Sequence, residues 1–340
     1  MMNFYKILFI LSTLLGTMIS ISATSWMGMW LGLEINLLSI IPLMNNNKNL
    51  FSTEASLKYF ITQAVASAIL LFSIILIMSK VNIQYEKNLE YPLLLMLNSS
   101  LLTKMGAAPF HFWFPEVIEG LSWFNSFILL TWQKIAPMAL LMYNMSLKNF
   151  LSFIIIFCML IGGIVGLNQT SLRKILAYSS INHIGWMISS MIFFQNIWIY
   201  YFLIYSLITV NIILIFGLLN VFYIKQLFSS LNSNKTVKLF FILNFLSLGG
   251  LPPFLGFLPK WMTIQALVES NLITLALIMI IFTLITLFFY IRVTFTSLLL
   301  STTETSLLSE NSNFFNKIII ILNFISLSSL IYCTMILNWI

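Results

Sequence analysis

Four ionisable side chains stand where this chain has least reason to carry charge. Glu34 sits in Trp30-Leu-Gly-Leu-Glu34-Ile-Asn36, Lys104 in Leu102-Thr-Lys104-Met-Gly106, Lys134 in Thr131-Trp-Gln133-Lys134-Ile-Ala-Pro137, and Lys260 after Pro252-Pro253-Phe-Leu-Gly256-Phe-Leu-Pro259. Each lies inside or beside a run of apolar residues. A charge at the centre of a membrane helix costs about 2.5–3.5 kcal/mol on insertion scales. Four of them would together offset much of the roughly 5–15 kcal/mol that holds a typical domain folded. Structural ion pairing is the plain alternative: Glu34 with Lys104, and the other two lysines capping carbonyls or reaching water. Three cations against one carboxylate leave an excess, which suggests amines that release and regain a proton. Groups of that kind in series make a proton relay. His183, in Ser179-Ser-Ile-Asn182-His183, could join it by bridging water between Lys134 and Lys260, or could be a satisfied interior histidine. His111 is expected among interfacial aromatics, in Pro109-Phe-His-Phe-Trp-Phe-Pro115.

The backbone beside these residues carries a second signal. Gly106 to Pro109 and Gly249 to Pro259 would interrupt helices in or near the bilayer, one beside Lys104 and the other beside Lys260. Non-helical backbone at that depth survives only against protein or a water-filled cavity. A pair of Gly/Pro-interrupted spans in two parts of a chain is also the mark of an inverted-repeat transporter. A kink or a loop just outside the bilayer would be the simpler explanation.

The elements that must hold these groups follow from composition. Of 340 residues 60% are hydrophobic and 7% charged, against about 25% charged in an ordinary soluble domain. There is no aspartate. The apolar runs are continuous rather than alternating, which fits helices and not a β-barrel. The reading is an all-α polytopic membrane protein, residues 1–340 forming one membrane domain. About eleven spans are expected, near 4–22, 25–43, 55–79, 91–108, 122–143, 150–167, 174–193, 197–223, 238–257, 272–298 and 317–338. The first is read as a retained helix and not a cleaved signal, because the next follows at once.

The net charge of +7 is scattered singly and gives no nucleic-acid surface. Cys158 and Cys333 fall in apolar runs as packing residues. No connection is long enough for a nucleotide, flavin or iron–sulfur site. Placing the N-terminus inside puts Lys6, Lys48, Lys58, Arg173, Lys174, Lys225, Lys235, Lys238, Arg292 and Lys317 on the inner side. It leaves Lys80, Lys87 and Lys148 outside, as the positive-inside rule requires.

Five stretches carry a family resemblance: Ser52-Thr-Glu54-Ala-Ser-Leu-Lys58, Gly106-Ala-Ala-Pro-Phe-His-Phe-Trp-Phe-Pro115, Gly166-Leu-Asn-Gln-Thr-Ser-Leu-Arg-Lys174, Tyr178-Ser-Ser-Ile-Asn-His-Ile-Gly-Trp186 and Leu246 to Trp261. In these the sequence resembles the mitochondrial NADH–ubiquinone oxidoreductase (complex I) chain 2 family, in an insect-like form. The resemblance runs nearly end to end. It implies an antiporter-like fold of inverted repeats with two interrupted helices, lacking three N-terminal helices of bacterial counterparts. It implies a core membrane-arm subunit that couples electron transfer from NADH to ubiquinone with proton translocation, in the mitochondrial inner membrane, N-terminus on the matrix side.

Carried over by motif, Glu34 is the intramembrane glutamate, Lys104 its ion-pair partner, Lys134 the central relay lysine and Lys260 the output lysine. Redox chemistry, with FMN, iron–sulfur clusters and the quinone site, is assigned to other subunits. No cofactor or metal is expected on this chain, though phospholipid is. Implied partners are other complex I subunits, chain 4 and chain 4L among them. A free-standing cation/proton antiporter and a purely structural membrane-arm subunit are the competing readings.

Overall fold

The computed structural model describes residues 4–45, 49–81, 90–231, 235–299 and 323–324. Among these the chain is helical throughout, with a single isolated backbone bridge between Ser171 and Tyr223. Contacts divide it into two compact units that meet in sequence at Cys158 and Met159.

In the first unit α1 (Phe4–Ser22) and α2 (Trp26–Met44) form a close antiparallel pair. A Cβ on Gly32 would lie 2.5 Å from the Ser20 amide nitrogen, and one on Gly16 2.8 Å from that of Asn36. Small residues thus let two backbones touch, the usual means of helix association where lipid gives no hydrophobic drive. Ser25 starts α2 by accepting the Gly28 amide at 3.2 Å. The long α3 (Leu50–Val81) packs on α4 (Glu90–Met105) and on the short α5 (Trp113–Gly120). On the surface Lys58 of α3 meets Glu54 at 3.0 Å and Glu116 of α5 at 2.9 Å. An exposed triad of this kind contributes little to stability, so it orients α5 rather than holding it.

The span expected over 122–143 is not continuous. It is α6 (Trp123–Leu130) and α7 (Trp132–Met142), separated at Thr131. Thr131 has φ −116° and ψ −70°. Its hydroxyl and its amide both donate to the Phe127 carbonyl, at 2.9 and 3.1 Å. A threonine that doubles on its own helix in this way bends it. The Lys134 amide then falls back to Thr131 in a tight turn, 3.2 Å. α8 (Lys148–Ile164) follows, across the division between the units.

The second unit is built round α9 (Leu172–Met191), which is entered from the 3-10 turn Val165–Asn168 and is buried on almost every side. Against it lie α10 (Gln195–Leu219), α13 (Phe257–Glu269) and α14 (Ile273–Leu299), with α11 (Ile224–Leu231) and α12 (Lys235–Gly249) completing the unit.

Ten of the eleven expected spans have helices where they were placed, and the last, 317–338, lies outside the described residues together with Lys48, Lys87, Lys317 and Cys333. Among the described residues six helices are by length and composition able to cross a membrane: α1, α2, α3, α8, α10 and α14. The short α5, α11 and α13 were not anticipated, and α13 puts Lys260 on a helix rather than in a loop. Both expected interruptions are present: α4 stops at Met105 and resumes as α5, and α12 stops at Gly249 and resumes as α13.

Candidate functional site

The two interruptions are made alike. Gly106 and Gly250 take φ +74° and +79°, left-handed values that cost other L-residues about 1–2 kcal/mol. Each lets the chain reverse and bond back onto the helix it has just left. Gly106 and Ala107 donate to Thr103 and Leu102 carbonyls at 3.1 and 3.0 Å; Gly250 and Leu251 donate to Ser247 and Leu246 at 3.0 and 3.4 Å. A buried helix end must satisfy its remaining carbonyls too. In the first unit neutral groups do so: Trp113 Nε1 reaches the Thr103 carbonyl at 3.1 Å and Gln63 Nε2 that of Lys104 at 3.4 Å. In the second unit an amine does so. Lys260 Nζ donates to the carbonyls of Leu248 and Gly249, at 3.2 and 2.9 Å.

Lys104 is buried on the last turn of α4, and Glu34 is at the middle of α2. Their Nζ and Oε1 atoms are 3.9 Å apart, with side chains 4% and 23% exposed. The expected ion pair is therefore present, at a distance longer than a direct hydrogen bond. Oε1 of Glu34 has no hydrogen-bond donor among the described residues. Beside the pair is a cavity of about 10 Å³ lined by Lys104, Asn36, Tyr59, Gln63, Gln133 and Pro137 among others, room for about one water. Gln133 donates to Asn36 Oδ1 at 2.9 Å. Pro137 lacks the amide that would have bonded the Gln133 carbonyl within α7. The cavity wall is thus polar on four helices: α2, α3, α4 and α7.

Lys134 is the third residue of α7, just beyond the Thr131 break, and is among the largest fully buried side chains. Its Nζ lies 5.5 Å from the centroid of the Phe114 ring. The same ring closes on Gly106, where a Cβ would meet it at 3.1 Å. One aromatic side chain of α5 therefore touches both the helix interruption and the buried amine. Lys260 has a similar neighbour, with Nζ 6.0 Å from the Trp186 ring. Both amines thus lie within reach of an aromatic face.

His183 is buried on α9, with Nδ1 2.9 Å from the Tyr201 hydroxyl of α10 and its ring 5.0 Å from that of Tyr205. One residue before it, Asn182 donates to Thr286 of α14 at 3.3 Å. Polar groups of α9 thus have partners on two neighbouring helices. His111 is buried in the first interruption, Nδ1 3.3 Å from the Pro109 carbonyl and its ring tilted against that of Phe112 at 4.5 Å. Cys158 is buried as expected, its sulfur accepting the Ala108 amide at 3.2 Å. Among the described residues no cluster of His, Cys, Asp or Glu could hold a metal.

The first unit therefore brings together Glu34, Lys104 and the cavity, with Lys134 on the adjoining α7. The second holds His183 and Lys260, with Trp186 of the same helix as His183 lying beside Lys260. Asn36, Tyr59, Gln63, Gln133 and Tyr201 were not singled out from sequence. The signal was available, since an amide or phenol inside an apolar span is costly unless bonded.

Comparison with known proteins is consistent with this arrangement. Residues 23–286 match the family described as NADH:quinone oxidoreductase/Mrp antiporter, TM. The chain is 51% identical over 97% of its length, and 97% of the relative's, to NADH-ubiquinone oxidoreductase chain 2 of Anopheles gambiae. It is 47% identical to that of Locusta migratoria, over 96% of this chain and 94% of the other. Among solved structures, a chain of respiratory complex I from Thermus thermophilus superposes with a TM-score of 0.86 at 23% identity, covering 96% of this chain and 78% of that one. A chain of the Mrp complex from Dietzia gives 0.74 at 18% identity, over 86% and 60%.

Proposed function

The chain belongs to the NADH-ubiquinone oxidoreductase chain 2 family, and on that premise we propose that it is a core membrane-arm subunit of respiratory complex I whose buried Glu34, Lys104, Lys134 and Lys260 carry protons. The observation that carries the reading is placement. Lys104 and Lys260 lie beside rebuilt helix ends, Lys134 follows the Thr131 break, and Glu34 and Lys104 meet at a cavity with room for water. A scaffold could use leucine at Glu34, Lys104 and Lys134 without the desolvation cost.

In this reading NADH oxidation and ubiquinone reduction occur on other subunits, with their FMN and iron–sulfur clusters, and reach this chain as a change of nearby charge. At 3.9 Å two unit charges interact by about 4 kcal/mol at an effective dielectric of 20. In this reading, tightening or loosening the Glu34–Lys104 pair is what passes the charge change on to Lys134 of the neighbouring α7. Lys134 and Lys260 are the proton-holding amines, one in each unit, and His183 is a further stop beside the second. The subunit sits in the mitochondrial inner membrane with its N-terminus in the matrix and chains 4 and 4L among its neighbours. The basic inner loops support that orientation.

Near full-length likeness to chain 2 relatives favours this over a free-standing antiporter. Lys260 has a structural task as well, because its amine caps α12. Lys134, buried beside the Phe114 ring, gives the test. Lys134→Met should leave the assembled complex intact on native gels and reduce NADH-driven proton uptake into vesicles. Normal pumping by that variant would remove Lys134 from the relay.

A further inference from the structure

Three apolar runs of the second unit end in one place. The 3-10 turn Val165–Asn168 follows α8, α11 follows α10, and Arg292 lies near the end of α14. Arg292 is nineteen residues beyond Ile273, the start of α14, about 28 Å along a helix axis. That is close to the roughly 30 Å of a bilayer's hydrocarbon core, which puts the guanidinium at headgroup depth. An open pocket of about 370 Å³ lies here, lined by Gln169, Thr170, Ile224, Phe228, Arg292 and Thr296 among others.

The pocket is preformed. Leu172 donates to the Phe222 carbonyl at 2.9 Å and Ile224 to that of Thr170 at 3.2 Å. Gln226 Oε1 accepts both Phe222 and Tyr223 amides, at 3.0 and 3.3 Å. Arg292 is exposed and donates one Nη2 to the Leu167 carbonyl; a guanidinium has five donors. Arg173 stacks on Phe222 at 4.6 Å, and Lys174 and Lys225 continue the same two segments. The stretch 120–268, which carries Arg173, Lys174 and Lys225, contains no carboxylate. Ile224, Phe228 and Val293 supply apolar wall.

We propose that this pocket binds the phosphate of an anionic membrane phospholipid. The Arg292 guanidinium takes the phosphate oxygens, and an acyl chain lies along Ile224, Phe228 and Val293. Arginine suits such a ligand because its planar fork matches phosphate geometry. Cationic residues at headgroup depth beside an apolar wall favour a lipid over an acidic protein segment.

The test uses the full-length chain in mild detergent with a phosphatidylglycerol carrying a photoreactive headgroup, followed by peptide mass spectrometry. Label is expected on peptides covering residues 165–175, 222–229 and 290–297. Unlabelled phosphatidylglycerol should compete, while phosphatidylcholine and inorganic phosphate should not. Arg292→Gln should lower labelling about tenfold, the loss of one charge-assisted contact, and Arg292→Lys by less. Should Arg292→Gln fail to fold, Thr296→Leu fills the pocket without touching a charge and should also lower labelling. Unchanged labelling in a folded variant, or equal competition by phosphatidylcholine, overturns the proposal. Competition by inorganic phosphate alone would assign the pocket to a free anion and overturn the lipid reading. Cross-linking of the pocket in the assembled complex to acidic residues of another subunit would overturn it as well.

Discussion

Adjacent glycines at the end of α12 should respond oppositely to the same methyl group. Gly250 has φ +79°, where alanine is strained by about 1–2 kcal/mol. Its new Cβ would also lie 2.8 Å from Lys260 Cδ and 2.9 Å from Nζ, so the lysine must move. Nζ donates to two buried carbonyls, and losing one such bond from a charged donor costs about 1.5–3 kcal/mol. Gly250→Ala should therefore destabilise the protein by on the order of 3–4 kcal/mol. Gly249 is helical, and a Cβ there meets nothing nearer than 3.6 Å, at Leu287 Cγ. Gly249→Ala should be neutral or stabilising by up to about 1 kcal/mol from helix propensity. Thermal unfolding in detergent, followed by tryptophan fluorescence, compares the two variants with the parent chain. NADH-driven pumping, measured on the assembled complex, should fall in Gly250→Ala only. If the two variants melt together, the capping of α12 by Lys260 is not what holds this turn.

Three further outcomes follow from other parts of the structure. Glu34→Gln leaves the buried Lys104 uncompensated and should cost about 3–5 kcal/mol, whereas Lys104→Met leaves Glu34, whose side chain is 23% exposed, and should cost less. The double variant should cost less than the sum, and strictly additive losses in a stability cycle would show that the two groups do not interact. Gly32→Ala would press a methyl to 2.5 Å from the Ser20 amide. It should force α1 from α2 and lower the yield of assembled complex on native gels, while normal assembly would refute that close approach. Tyr201→Phe removes the hydroxyl 2.9 Å from His183. It should lower stability by about 1 kcal/mol and slow pumping; unchanged pumping with the expected stability loss would make the contact structural alone.

Much of this site could be read from the sequence because its causes are local. Glycine with nearby proline marks both interruptions, and a lysine in an apolar run needs no alignment to be noticed. The break at Thr131 was hidden, since it arises from a hydroxyl bonding its own helix and involves neither glycine nor proline at the break. α5, α11 and α13 were hidden because runs of 8 to 13 residues are too short to read as spans. The cavity beside Lys104 depends on Asn36 meeting Gln133, 97 residues away, a pairing no periodicity encodes.

The burial of α9 on almost every side bears on how the protein is made. α9 is long enough to span, yet it carries Ser179, Ser180, Asn182, His183, Ser189 and Ser190, and it is absent from the six helices apolar enough to cross by composition. Leaving the translocon alone, it would partition poorly into lipid. α8 and α10, which bracket it in sequence, are among the most apolar helices of the chain. Biogenesis should then release α9 only in company, held at the protein-conducting channel until α10 emerges and the two enter the bilayer as a hairpin.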